Sequence, residues 1–229
     1  MKTVIITGAA GNLGKACVER FLADGYKVIA TVTPGKNLGY EVEGDVETYD
    51  ADLSDEKAVD EVISQIVAKH KTIDAALLLV GGYASGGINE TDGSTLKKMF
   101  SLNFDTTYFV ARPLFQQMLK QGSGGRIVLV GARPALRPKD GNKSFAYALS
   151  KSLIFKLAEF LNAAGSEKNV TACVVVPSTI DTHPNRQAMP NADFSAWVKA
   201  EDIAAAMAHL CSSESSGWRE TVVKIYNRA

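Results

Sequence analysis

The sequence predicts an α/β fold: one domain over residues 1–229, a doubly wound seven-stranded parallel sheet with helices on both faces. Two observations carry this. Apolar, strand-like runs alternate with helix-period patterns along the whole chain, which is the rhythm of βαβ units. Several of those runs, such as Ala75-Ala-Leu-Leu-Leu-Val80 and Ala172-Cys-Val-Val-Val176, are apolar without interruption, as strands are when helices cover both faces.

The first strand spans 4–7, and glycines end its apolar run too early for a signal peptide. A helix over about 11–23 follows, then strands over 27–32 and 46–49. A helix over 55–69 starts behind Asp52-Leu-Ser-Asp55, and a strand over 73–80 comes next. The helical pattern over 93–120 includes Asn103, a poor residue for a helix interior. The remaining elements are a strand over 126–130, a helix over 145–163, a strand over 170–176, a helix over 200–211 and a strand over 221–226. The 145–163 helix carries Leu149, Leu153, Ile154, Phe155, Leu157, Phe160 and Leu161 around most of its circumference. One sheet cannot cover all those faces, so the helix is either deeply buried or part of a subunit interface, and the interface is the favoured reading.

Acidic and basic side chains balance at 25 each, which gives no electrostatic bias toward nucleic acid, and 46% hydrophobic composition supplies one core. No apolar run approaches the roughly 20 residues that span a bilayer, so neither nucleic acid nor membrane is expected as a partner. The cysteines Cys17, Cys173 and Cys211 are odd in number and lack metal-ligand spacing; they are expected to be reduced thiols of a cytoplasmic protein.

Thr7-Gly-Ala-Ala-Gly-Asn-Leu-Gly14 joins a strand to a helix. In that setting Gly8, Gly11 and Gly14 let backbone N–H groups, those of Asn12 and Leu13 among them, approach a pyrophosphate at the positive helix end. A purely structural tight turn is the alternative. Dinucleotide folds often place a carboxylate at the end of the second strand, some 20 residues on, to hold a ribose 2′-hydroxyl. Ala30-Thr-Val-Thr-Pro-Gly-Lys36 has none, and Thr33 with Lys36 offers a hydroxyl and an ammonium to a 2′-phosphate, so NADP(H) is favoured over NAD(H). Asp52 and Leu53 stand where an adenine-contacting pair is expected, and equally where a helix starts. Gly81-Gly82 either brings the backbone close to a cofactor or forms a plain turn. Tyr147 and Lys151 are four apart and share a helix face. An ammonium beside the phenol favours the phenolate and draws a group of pKa about 10 toward working range, which equips a proton donor. Asn103 is expected to bend its helix and hold a water that passes protons toward Lys151.

In order and spacing, Thr7-Gly8 to Gly14, Gly81-Gly82, Asn103 and Tyr147 to Lys151 together resemble the short-chain dehydrogenase/reductase family over essentially the full length. The resemblance implies a single Rossmann domain that transfers hydride to or from a nicotinamide ring. It implies Tyr147 as acid or base, Lys151 holding ribose and lowering the tyrosine pKa, and Asn103 supporting a water relay. It further implies cofactor contacts at Pro177, Thr179 and Thr182, with His183 a surface neighbour, and a homodimer or homotetramer. Asn12 stands where the family more often has its second glycine. Ala132 stands where the family has a serine that hydrogen-bonds the substrate oxygen, a kind of donor whose loss costs about 3 kcal/mol. Either Tyr83 or Ser144 donates instead, or the substrate needs no such donor.

The segments 80–87, 131–136 and 180–197 are similar to those of the quinonoid dihydropteridine reductase branch, which also lacks the serine. That branch usually prefers NADH, with an acidic residue where Val32 stands here, and generally lacks the asparagine found here at 103. Tyr83, Met189, Phe194 and Trp197 offer flat or pliable walls for a planar ring next to Ala132, or else belong to a lid packed down as core. The small-molecule substrate is thus expected to be planar or a carbonyl: a quinonoid dihydropterin or similar acceptor. A broad-specificity carbonyl or quinone reductase is the second reading, and a non-catalytic NAD(P)-binding sensor the third.

Overall fold

Seven parallel strands in the order β3-β2-β1-β4-β5-β6-β7 form the sheet of the computed structural model, which describes residues 1–228. The first half runs β1 (Thr3–Thr7), α1 (Asn12–Ala23), β2 (Lys27–Val32), β3 (Val46–Asp50), α2 (Glu56–His70) and β4 (Ala75–Leu78). The second half runs α3 (Gly93–Phe100), α4 (Thr106–Lys120), β5 (Gly125–Val130), two four-residue turns α5 (Arg133–Leu136) and α6 (Pro138–Gly141), α7 (Phe145–Gly165), β6 (Val170–Pro177), α8 (His183–Ala188), α9 (Ala200–Cys211) and β7 (Val222–Ile225). This is the doubly wound α/β sheet the sequence predicts. Strand order reverses between β1 and β4, which opens a crevice beyond their carboxyl ends.

The uninterrupted apolar strands follow from the two-residue period of a strand between two helical layers. Val4, Ile6, Val28 and Ala30 pack with Phe21 of α1 and Met207 of α9. Their neighbours Ile5 and Ile29 pack with Ile63 of α2, Leu114 of α4 and Ile154 of α7 on the opposite face. Cys17, Cys173 and Cys211 are buried and unpaired, and burial pushes all three thiols up. Among the described residues no helix is long and apolar enough to cross a membrane, and no group of acidic, His and Cys side chains gathers for a metal ion.

The helix predicted over 93–120 is two helices. A wider, π-type turn over Ser101–Asp105 separates α3 from α4. The Thr106 hydroxyl donates to the Leu102 carbonyl at 2.8 Å, and the Thr107 hydroxyl donates to that of Asn103 at 3.1 Å. Such local side-chain bonds give helical carbonyls partners that the regular ladder does not provide. Asn103 does interrupt the helix, and its side chain has no exposed surface.

Helix α7 is apolar on two faces. Ile154, Leu157 and Leu161 are buried against the sheet, while Phe160 is 73% exposed and Leu149 is 39% exposed. On α4, Tyr108 is 39% exposed and stacks on Phe104 at 6.0 Å.

Leu114 is fully buried in the core beneath α4. Leu114→Ala should therefore cost about 2–5 kcal/mol in a urea unfolding experiment. A change under about 0.5 kcal/mol, the size of a surface substitution, would contradict the packing described.

Candidate active site

At the carboxyl end of β1, the Thr7 hydroxyl accepts from the Leu79 amide at 2.9 Å, which ties this end to the segment leaving β4. Gly8 then turns with φ +65°, a left-handed conformation that favours glycine. The Gly11 amide donates to the Gly8 carbonyl at 2.9 Å, and α1 begins at Asn12. A β-carbon on Gly14 would fall 2.2 Å from the Gly8 oxygen and 2.7 Å from Ala9 Cα, so the first turn of α1 lies directly on the loop. Helices α2 and α3 begin with Asp55 and Asp92 accepting from their first amides. Helix α1 has no side-chain cap and no acid in its first turn. Its leading amides at Asn12, Leu13 and Gly14 suit an anion.

The loop after β2 carries Thr33 and Lys36 exposed, with the Lys36 amide donating to the Thr33 carbonyl at 2.9 Å. Two residues missed in the sequence join it. Asp50, paired with Val32 across β2 and β3, accepts from the Gly35 amide at 3.3 Å, so a carboxylate reaches this loop from the neighbouring strand. The Tyr40 hydroxyl donates to the Ala9 carbonyl at 3.1 Å, with the Lys15 ammonium 5.4 Å from its ring centroid, which straps the loop onto the glycine turn. Neither follows from local pattern, because both depend on strand register and a long loop. Asp52 accepts from the Ser54 amide and hydroxyl at 2.9 and 2.6 Å, and these bonds hold its carboxyl below the usual range. Leu53 is packed into the core.

Beyond β4, Gly81 and Gly82 meet Asn103 and Lys151. A β-carbon on Gly81 would stand 2.7 Å from Asn103 Oδ1 and 3.1 Å from Lys151 Nζ, and one on Gly82 would stand 2.3 Å from Leu102 Cδ2. The Asn103 carboxamide accepts from the Gly82 amide at 2.9 Å and donates to the Gly82 carbonyl at 3.1 Å and to Ser150 Oγ at 3.0 Å. The Ser150 hydroxyl in turn donates to the Tyr147 carbonyl at 2.8 Å. Asn103 thus clamps the turn after β4 onto α7, and its own carbonyl is occupied by Thr107.

Lys151 is buried and donates to the Val130 carbonyl at the end of β5 at 2.8 Å. Burial lowers its ammonium to about 8. Tyr147 is partly buried, and burial, with Tyr83 adding to it, pushes its phenol up to about 12. The net shift of the phenol is upward, against the lowering that the sequence implies for Lys151: desolvation dominates, and the ammonium is directed at a backbone carbonyl. The result is a neutral phenol at neutral pH. The Tyr83 ring meets that of Tyr147 edge-on at 5.1 Å, and Tyr83 is 64% exposed.

Ala132, in extended conformation before α5, is buried at 3% exposure. Ser144 is equally buried, its amide donating to the Gly141 carbonyl at 2.9 Å. Pro177 ends β6, and the Thr179 carbonyl accepts from the Val198 amide at 2.9 Å. Thr182 caps α8 by accepting from the Asn185 amide at 3.3 Å, and His183 is exposed. Met189 is 40% exposed, whereas Trp197 is 6% exposed and packs on Phe194 at 4.9 Å. The structure gathers Gly81, Gly82, Tyr83, Asn103, Tyr147 and Lys151 at one rim.

Residues 2–193 match the sequence profile described as short chain dehydrogenase. The acetoacetyl-CoA reductase of Acinetobacter sp. (strain RA3849) is 26% identical over 185 residues, 77% of this chain and 73% of that protein. The dihydropteridine reductase of Dictyostelium discoideum is 24% identical over 209 residues, 89% of this chain and 84% of that protein. The solved structure of ElxO with NADP bound has the same fold, with a TM-score of 0.89 at 24% identity, covering 98% of this chain and 96% of that chain.

Asn103→Ala would leave the Gly82 amide and carbonyl without their partners, at about 1–3 kcal/mol for each group that stays buried. Denaturant unfolding should show a loss of at least about 2 kcal/mol. Unchanged stability would mean that the clamp does not hold.

Proposed function

The chain belongs to the short chain dehydrogenase family of oxidoreductases, and from that premise we propose that it reduces a planar, conjugated acceptor with NADPH. A quinonoid dihydropterin is the leading candidate. One observation carries this reading: a methyl, that of Ala132, stands where a hydroxyl donor is expected, while the tyrosine and lysine are kept. A ketone builds an alkoxide and profits from two donors; an electron-poor ring that takes up hydride and a proton needs less stabilisation at one oxygen. The similarity to a dihydropteridine reductase supports the same acceptor class.

The dinucleotide, when bound, supplies the hydride. The uncapped first turn of α1 would hold its diphosphate, and the loop with Thr33 and Lys36 its adenosine end, with Asp52 and Leu53 beside the adenine. Gly81 and Gly82, with Pro177, Thr179 and Thr182 on the segment after β6, would line the nicotinamide end. Tyr147 gives up the proton at its hydroxyl, and the Lys151 ammonium steadies the phenolate left behind. Tyr83, Ala132, Met189 and Trp197 bound the acceptor's side of the cleft. Asp50 gives NADH a specific observation of its own, because its carboxylate reaches the same loop as Lys36. Simple diketones and quinones are the second acceptor class, in line with the similarity to a reductase of acetoacetyl-CoA.

The exposed Tyr108, Leu149 and Phe160 on α4 and α7 support a homodimer, or a homotetramer built from it. The buried, unpaired thiols fit the cytoplasm.

Tyr147→Phe should abolish NADPH oxidation with quinonoid dihydropterin while NADPH still binds; normal turnover would remove the role assigned to Tyr147. Lys36→Ala should raise the KM for NADPH about tenfold or more and leave that for NADH unchanged, as loss of a charged phosphate contact predicts. Equal effects on both cofactors would speak against a 2′-phosphate site. For reduction, kcat/KM should fall as pH rises through about 8, where Lys151 loses its proton and Tyr147 stays neutral. A profile flat to pH 10 would contradict this assignment.

A further inference from the structure

On the reductase reading, Ala132 puts a methyl where a hydroxyl would share the acceptor with Tyr147. Two serines stand nearby. Ser144, at the start of α7, is as buried as Ala132, each at 3% exposure. Ser150 has no exposed surface and spends its hydroxyl on the Tyr147 carbonyl.

Tyr83 differs from both. It leaves most of a large aromatic side chain exposed, at 64%, on the loop beyond β4. That loop is held on either side of it. Gly82, just before Tyr83, is gripped at its amide and its carbonyl by Asn103. Gly86, three residues on, donates its amide to the Lys143 carbonyl at 2.8 Å and accepts the Phe145 amide at 2.8 Å. The second pair anchors the loop to the start of α7, two residues from Tyr147. Between these anchors the Tyr83 ring stands edge-on to that of Tyr147, with centroids at 5.1 Å and planes at 65°. An edge-to-face pair has a preferred geometry and fixes where each ring points.

We propose that the Tyr83 hydroxyl is the second hydrogen-bond donor of this site: it binds the acceptor heteroatom that gains negative charge as hydride arrives, in place of the hydroxyl missing at Ala132. It transfers no proton, which comes from Tyr147 alone. The assignment rests on the reductase reading above, and it makes Tyr83 a catalytic residue in the sense that it touches the substrate. It also explains why a buried carboxamide is committed to Gly82: a donor is useful only if its position is fixed before the acceptor arrives.

The test compares Tyr83→Phe, Tyr83→Phe with Ala132→Ser, and Ser85→Ala, the last removing an exposed hydroxyl two residues further along the loop. Two acceptors are used with NADPH, quinonoid dihydropterin and 9,10-phenanthrenequinone. Tyr83→Phe keeps the ring and removes only the hydroxyl; kcat/KM should fall roughly a hundredfold, as when one such donor is removed, with the KM for NADPH unchanged. Adding Ala132→Ser should recover about tenfold or more, a rescue that a merely structural role for Tyr83 would not give. Ser85→Ala should match the wild type. Wild-type kcat/KM in Tyr83→Phe overturns the proposal, and so does a loss that Ala132→Ser leaves untouched. Failure of the wild-type protein on the dihydropterin alone removes the acceptor named above and leaves the Tyr83 comparison to be decided on the quinone. No reduction of either acceptor by the wild type overturns both readings.

Discussion

A carboxamide with no exposed surface, that of Asn103, joins three elements and sets the geometry of the site. It bonds both backbone groups of Gly82 and the hydroxyl of Ser150, so the turn beyond β4 and helix α7 are fixed to the wide turn between α3 and α4. A buried amide is stabilising only when its polar atoms are matched, and here its oxygen and nitrogen both find partners. The glycine at 81 follows from this: a β-carbon there would stand 2.7 Å from Asn103 Oδ1, whereas one at 82 would meet Leu102 Cδ2 at 2.3 Å. Asn103 lies within the π-type turn over Ser101–Asp105, and Thr106 and Thr107 donate to the Leu102 and Asn103 carbonyls there.

On this frame the electrostatics are set by burial. Desolvation penalises the charged form of each group, so it lowers Lys151 to about 8 and pushes Tyr147 up to about 12. At neutral pH the phenol holds its proton and the ammonium keeps its charge. That combination suits donation of a proton to an acceptor that receives hydride, as the proposed reduction requires.

Much of this was legible in the sequence, for reasons that can be named. The sheet was readable because strands covered on both faces are apolar at every position, as in Ile5 and Ile6, which point to opposite layers. The glycine turn and the Tyr147–Lys151 pair were readable because their geometry is local, a loop between strand and helix and a spacing of four. The interruption at 101–105 was only half readable: Asn103 marked the place, but the wide turn depends on Gly82 and Ser150, which are far away in sequence. The same holds for Asp50, brought to the loop after β2 by strand register, and for Tyr40, brought to Ala9 by a long loop. The direction of the Tyr147 shift was not readable at all, because burial is a property of the folded chain and the lysine four residues on says nothing about it.

The most direct test of the Asn103 clamp is hydrogen exchange at the Gly82 amide, which lies on a loop outside any strand. If Asn103 holds it, this amide exchanges as slowly as those of β4 and becomes fast in Asn103→Ala. Exchange in the wild-type protein as rapid as at an open loop position such as Ser85 would contradict the account.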